Sequence, residues 1–469
     1  QRSTLFNENW KFHRGDVENA QDVNYNDTTW ENINLPHDYS IDQEFTTSGE
    51  AESGFLPGGV GWYRKSFVVP EKYKDKQLMV EFDGAYMNAE VYLNGKKLGD
   101  HPYGYTAFAF DLTDGLICDG KTENVLVVKT NNQIPSSRWY SGSGIYRDVT
   151  LTVTDDVHVG YNGTQIIAQD LEANKNGTVE VDITTTVEND SDTTKTVTVK
   201  NTLLDENGKV ASNTTTSQVE IAADSVQDIE QSVNVEKPEL WSVDDANMYK
   251  MKTEIVENDE VLDTYETDYG FRYYNFDKDT GFSLNGEKMK LKGVSMHHDQ
   301  GSLGAVANRD AIERQVKILK EMGCNAIRVT HNPAASALLD ICNEYGMLVI
   351  NEAFDGWTEY KNGNVNDYTS HFEETITADN QIINGEPGMQ WGEFDTKAMV
   401  DGAKNDPSVI MWSIGNEITE GVYTDTSHYV EVAGNIIDWI QEVDTTRPVT
   451  NGDNQKNTNP NAMISKINQ

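Results

Sequence analysis

The chain has 469 residues, room for about three domains, with 9 Trp, 21 Tyr and 14 Phe to fill a sizeable core. Its 77 Asp and Glu against 37 Lys and Arg leave a formal charge of −40, which argues against nucleic acid and against anionic membrane surfaces as partners. No stretch has the apolar length of a membrane span, and Cys118, Cys324 and Cys342 fit neither a disulfide framework nor a zinc site, so buried free thiols are expected.

Residues 1–155 read as all-β. Trp62–Val69, Leu78–Gly84, Ala89–Gly99, Ala107–Leu112, Asn124–Thr130 and Asp148–Thr154 are short alternating runs separated by turn residues. Asn94-Gly95 is a hairpin signal, because Asn and Gly tolerate the positive φ of a type I′ turn. The regular spacing predicts a jelly-roll-like sandwich. Residues 156–268 turn rich in Thr, Val, Asp and Asn, with strict alternation over Thr178–Asp190, Thr196–Val210 and Tyr249–Asn258. That pattern predicts an immunoglobulin-like β-sandwich with no catalytic constellation of its own.

From residue 269 onward the period switches. Strands are predicted at Lys288–Met296, Asn325–His331, Met347–Ala353 and Asp406–Asn416, with a fifth beginning at Pro448–Asn451. Helices are predicted between them at Arg309–Gly323 (N-capped by Asn308), Ala335–Gly346, Phe394–Lys404 and Tyr429–Val443. Alternation of strand and helix means βα units and a parallel sheet, here about the first half of a (β/α)8 TIM barrel over residues 269–469.

Each predicted strand ends in reactive or hydrogen-bonding side chains. The first gives His297, His298 and Asp299, the second Arg328 and His331, the third Glu352 with Asp355 and Trp357 just beyond, and the fourth Asn416 and Glu417. Parallel-barrel enzymes keep their chemistry on that face, so four such ends in succession point to a site. For Glu417 alone, a helix cap or surface ion pair is the competing reading. Arg328 and Glu352 are expected as a buried ion pair, Trp412 as barrel packing, and Trp357 as either packing or sugar contact. Ligation of a metal by His297, His298, His331 and Glu352 is disfavoured, because adjacent histidines point apart and no HExxH-type spacing is present; no cofactor is called for. Imidazoles, an Arg, amides and a Trp around carboxylates suit a neutral, hydroxyl-rich ligand. A carboxylic acid among them can protonate a glycosidic oxygen, which makes Glu417 the candidate general acid.

The order of units, together with SSRWYSGSGIYRDV (136–149), GFSLNGEKMKLKGVSMHHD (281–299), IRVTHNPAASALLDICNEYGMLVINEAFDGW (327–357) and SIGNE (413–417), resembles glycoside hydrolase family 2, most closely its bacterial β-galactosidases. The resemblance implies a retaining exo-β-galactosidase acting on β-galactoside oligosaccharides or glycans. It assigns Glu417 as acid/base, Asn416 to the sugar 2-hydroxyl, His331 to the pocket wall, and Arg138 as a substrate contact reaching in from the first unit. His298, Asp299 and Asp355 are carried over as further substrate contacts, and Glu352 as structural support. For Arg138 and Trp139, packing at the interface between units competes with sugar contact. A β-glucuronidase or β-galacturonidase of the same family, and a catalytically silent carbohydrate-binding fragment, stand as alternatives.

A retaining enzyme needs a second carboxylate about 5 Å from the first, and the resemblance puts it on the seventh strand. Glu420 and Asp425 sit too close to Glu417, Glu431, Asp438 and Glu442 lie on a predicted helix, and Asp453 matches no nucleophile motif. The nucleophile is therefore expected outside this chain, with the remaining barrel as a required partner. The start Gln-Arg-Ser is read as a boundary rather than a native terminus; oligomeric state and compartment (bacterial cytoplasm or cell surface) stay open.

Overall fold

The computed structural model describes residues 2–420 and 426–454. The first unit is a sandwich of two antiparallel sheets. One has four strands in the order Ser3–Leu5, Val149–Thr154, Gln77–Phe82, Phe108–Asp111; the other has six, in the order Glu31–Ile33, Trp10–Arg14, Gly59–Val68, Glu123–Asn132, Ala89–Leu93, Lys96–His101. Leu78, Val80 and Phe82 face inward and the residues between them do not, as the period of two demands. Asn94 and Gly95 take φ of 50° and 85°, the left-handed pair of a type I′ hairpin.

The second unit packs Val157–Ala168, Thr178–Asn189 and Ser225–Glu236 against a sheet built on Val210–Thr215, Lys195–Leu204, Tyr249–Glu257 and Glu260–Tyr269. It is tied to the barrel through Asn405, whose side chain accepts from Ile166 N at 3.0 Å and donates to Thr164 O at 2.9 Å.

One sequence expectation is corrected at the entry to the barrel. Lys288–Met296 is not a single strand: Glu287–Lys288 closes a small antiparallel sheet with Gly281–Leu284 and Tyr274–Asp277, and the first barrel strand is only Gly293–Met296. The Asn285-Gly286 turn, with φ of 52° and 83°, folds the hairpin. Phe282 and Leu284 then pack with Trp241, Ala326, Leu348 and Ile410, covering the N-terminal ends of the barrel strands.

Among the described residues the barrel contributes five parallel strands in sequence order: Gly293–Met296, Ala326–Val329, Leu348–Glu352, Val409–Asn416 and Val449–Gly452. Helices Arg309–Glu321, Ser336–Tyr345, Trp391–Ala403 and Ser427–Val443 cover them. Asn308 caps the first helix by accepting from Ala311 N at 3.0 Å. The three inner strands are largely buried, whereas no residue of the first or fifth strand is. No helix among the described residues is long and apolar enough to cross a membrane. The cysteines are free, but only Cys342 is buried; Cys118 and Cys324 are partly exposed.

The jelly roll and the barrel share one core, sealed by buried polar bonds. His101 Nε2 and Asp395 Oδ1 lie 2.7 Å apart, Thr106 donates to the same oxygen at 2.6 Å, and Tyr368 donates to Asp395 Oδ2 at 2.5 Å. Arg147, 1% exposed, bridges the carbonyls of Tyr105 and Pro333 at 3.0 and 2.9 Å. This seam fixes where the first unit meets the C-terminal face of the strands.

Candidate active site

Glu352 ends the third strand and is fully buried. Its Oε2 accepts from Arg328 Nε (2.9 Å), Arg328 Nη2 (2.7 Å) and Ser413 Oγ (2.7 Å), while Oε1 lies 2.7 Å from His331 Nδ1. Buried carboxylates persist when paired and hydrogen-bonded in this way. Glu352 therefore orients its neighbours. An ionised Glu352 accepts the Nδ1 proton of His331, leaving Nε2 for a ligand hydroxyl.

A second network joins the jelly roll to the end of the fourth strand. Arg138 grips Asp355 through both arms, Nε to Oδ2 at 2.8 Å and Nη2 to Oδ1 at 2.5 Å. Asn416 Nδ2 donates to Asp355 Oδ1 at 3.0 Å, and Arg328 Nη2 reaches Asn416 Oδ1 at 3.2 Å. Lys361 donates to the Asn416 carbonyl at 2.5 Å and the Asp355 carbonyl at 2.7 Å. Burial pushes the Asp355 pKa up, but its bonds to Arg138 and Asn416 and the charge of Lys361 outweigh it, so the carboxyl is held below its ordinary value. Burial pulls the Lys361 ammonium below its ordinary value. Arg138 is thus both things at once: an interface residue through Asp355 and a wall of the cleft.

Glu417 follows the fourth strand in a left-handed turn (φ 47°), half-buried, with its amide bound to Gly452 O on the fifth strand at 2.5 Å. A non-glycine residue held there costs about 1–2 kcal/mol and aims its side chain out of the ladder. The hydrogen bonds of the two networks go to Glu352 and Asp355. Arg138 Nη1 also lies 3.6 Å from Glu420 Oε2. Asp425 falls outside the described residues.

A cleft of about 500 Å³ opens between the first unit and these strand ends, walled by Tyr103, Tyr105, Arg138, Trp139, His331 and Asp355. His297 sets its ring 4.9 Å from that of Trp139, tilted by 38°, and 5.4 Å from that of His331, edge to face at 87°. The other predicted contacts lie elsewhere. His298 turns its Nε2 to Ser141 O at 3.0 Å and packs on Tyr105 and Tyr146, and burial pushes its pKa down to about 3. Asp299 is exposed, with its carbonyl taking Gln315 Nε2 at 3.4 Å. Trp357 is 1% exposed and donates to Ile414 O at 2.8 Å, a packed indole with no face free for a sugar. Trp412 is equally buried and bonds Asp444 Oδ2 at 2.9 Å. His297, His298, His331 and Glu352 do not bring ligand atoms around one point. Sequence reasoning missed Lys361, which carries no motif, and the tyrosine floor of the cleft. The signal for Lys361 was its place just after DGW (355–357), whereas Tyr103 and Tyr105 stand far from any motif in the chain.

Three family models match in series: "Glycosyl hydrolases family 2, sugar binding domain" over residues 18–155, "Glycosyl hydrolases family 2" over 164–272, and "Glycosyl hydrolases family 2, TIM barrel domain" over 277–469. Beta-galactosidase BoGH2A of Bacteroides ovatus is 38% identical over 98% of this chain and 55% of its own length. A putative beta-glucuronidase of Formosa agariphila is 34% identical over 96% of this chain and 40% of its own. The crystal structure of a glycosyl hydrolase family 2 member from Bacteroides cellulosilyticus superposes with a TM-score of 0.90 at 35% identity, covering 99% of this chain and 57% of that one. The chain spans about half the length of the relatives it matches.

Proposed function

Because the chain belongs to glycoside hydrolase family 2, we propose that it carries the acid/base half of a retaining exo-β-galactosidase. Glu417 protonates the glycosidic oxygen and then, as base, activates water against a glycosyl-enzyme. Asn416 and His331 Nε2 bond the sugar hydroxyls, and Trp139 with the tyrosines of the cleft packs on its C–H faces. The nucleophilic carboxylate comes from outside this chain.

One observation carries the assignment. Of the three carboxylates at the third and fourth strand ends, Glu352 and Asp355 are engaged by side-chain donors, whereas among the described residues no hydrogen bond reaches the Glu417 carboxylate, which supports giving it the acid/base role. The preference for a neutral sugar over a uronide rests on the cations: Arg138 and Lys361 both already serve Asp355. A C6 carboxylate would have to take one of them away.

The test is turnover of p-nitrophenyl β-galactoside against p-nitrophenyl β-glucuronide, with the intact mass of the sample measured alongside. Turnover of the galactoside with more than this chain present supports both parts of the reading. Preference for the glucuronide overturns the substrate, and turnover by a lone 52.5 kDa species makes a carboxylate such as Glu420 or Asp453 the nucleophile instead.

A further inference from the structure

The edge of the immunoglobulin-like unit beside the jelly roll holds a cluster that sugar chemistry does not use. His158 stands directly opposite Glu188 in the ladder between Val157–Ala168 and Thr178–Asn189. Asp190 lies two residues beyond Glu188 and so faces the same side. The bond from Asp190 N to Asp156 O at 2.9 Å carries the pairing that one step further. His158 Nε2 is 3.1 Å from Glu188 Oε2 and 3.7 Å from Asp190 Oδ2, and the three ligand atoms all lie within 4.8 Å of one another. Tetrahedral ligands at 2.0–2.2 Å from an ion stand roughly 3.3–3.6 Å apart, so the spacing brackets that of a bound ion.

The orientation of His158 adds a separate argument. The side chain is 10% exposed, and its Nδ1 lies 2.9 Å from the Asp155 carbonyl oxygen. A carbonyl only accepts, so Nδ1 donates to it, and Nε2 faces the two carboxylates, either carrying a second proton that bonds Glu188 at 3.1 Å or giving it up to a metal ion. A positive charge belongs between them, and a metal ion competes with the ring proton for that place. Among the described residues, no Lys or Arg ion-pairs with Glu188 or Asp190; their ion pairs go to His158 alone. A backbone carbonyl on the far ring nitrogen is also the outer contact that metal-bound imidazoles use. Entry is open: the two carboxylates are 31% and 42% exposed, and Glu188 lines a surface cleft.

We infer that His158, Glu188 and Asp190 bind one divalent transition-metal ion, Zn2+ being the type, with water filling the remaining position. A neutral imidazole and two carboxylates balance its charge. Bound there, the ion fastens the Asp155–His158 segment that leads from the jelly roll to the second unit.

The experiment is isothermal titration of the EDTA-stripped full chain with ZnCl2, with thermal unfolding measured in parallel. The expected result is one saturable site per chain and a higher Tm with Zn2+, with affinity falling at least about tenfold in Glu188→Gln and in Asp190→Asn. Both replaced side chains are part-exposed, and near-UV circular dichroism checks that the variants keep the native fold. Absence of saturable binding overturns the site and leaves a doubly paired imidazolium in its place. One-to-one binding unchanged in both variants overturns it as well, by placing the ion elsewhere.

Discussion

The third and fourth barrel strands each carry a glutamate at the C-terminal end, Glu352 as the last residue of one and Glu417 as the first residue past the other, and use it in opposite ways. Glu352 is fully buried and takes bonds from Arg328, His331 and Ser413. Glu417 sits one strand over in a left-handed turn, half-buried, anchored through its main chain and, among the described residues, with no hydrogen bond to its carboxylate. A carboxylate surrounded by donors is held in place and serves as scaffold. One held by its backbone, with no side-chain hydrogen bond among the described residues, is left to meet a ligand. Position on a barrel strand selects candidates; the hydrogen-bond inventory of each decides between them.

The sharpest way to break this contrast is to neutralise both residues in turn. Glu352→Gln strands the Arg328 guanidinium and is expected to cost about 3 kcal/mol or more in chemical denaturation. Glu417→Gln is expected to stay within ~1 kcal/mol of wild type. Equal losses would mean that Glu417 is structural too. Next in size, Arg138→Lys replaces a two-armed grip on Asp355 with a single point charge, and should cost about 2 kcal/mol while loosening the jelly-roll wall of the cleft.

A pH series probes the end of the first strand. The folded pKa of His298, about 3, lies below its ordinary 6.5, so its contribution is fully present above pH 6.5 and is lost as pH falls toward 3. Wild type should lose up to about 1.4 kcal/mol per pH unit in that window from this residue, and His298→Gln, which can still donate to Ser141 O, should flatten the slope. An unchanged slope would show that the imidazole is not held neutral. The smallest effect is expected from Glu417→Gly, which removes the left-handed strain and should stabilise by roughly 1 kcal/mol.

Much of this was legible in the sequence, and unevenly so. Asn94-Gly95 and the Asn308 cap follow from local rules, and they reappear with the expected geometry. The run Lys288–Met296 misled, because its β-like composition hides the Asn285-Gly286 hairpin that stops at Lys288. His298 and Trp357 lie beside the right motifs, but the direction of a side chain is set by tertiary packing, on Tyr105 and Tyr146 for one and against Ile414 O for the other. His101 and Asp395 pair across two folding units, and no local pattern links them. Lys361 sits in an irregular loop whose path only the folded chain reveals.

The most direct test of the central claim is kcat on p-nitrophenyl β-galactoside for wild type and Glu417→Gln, with Tm measured on the same samples. Loss of a general acid/base predicts a fall of at least ~100-fold in kcat with Tm nearly unchanged. Full turnover in the variant, or a loss that merely follows unfolding, would contradict the assignment of Glu417.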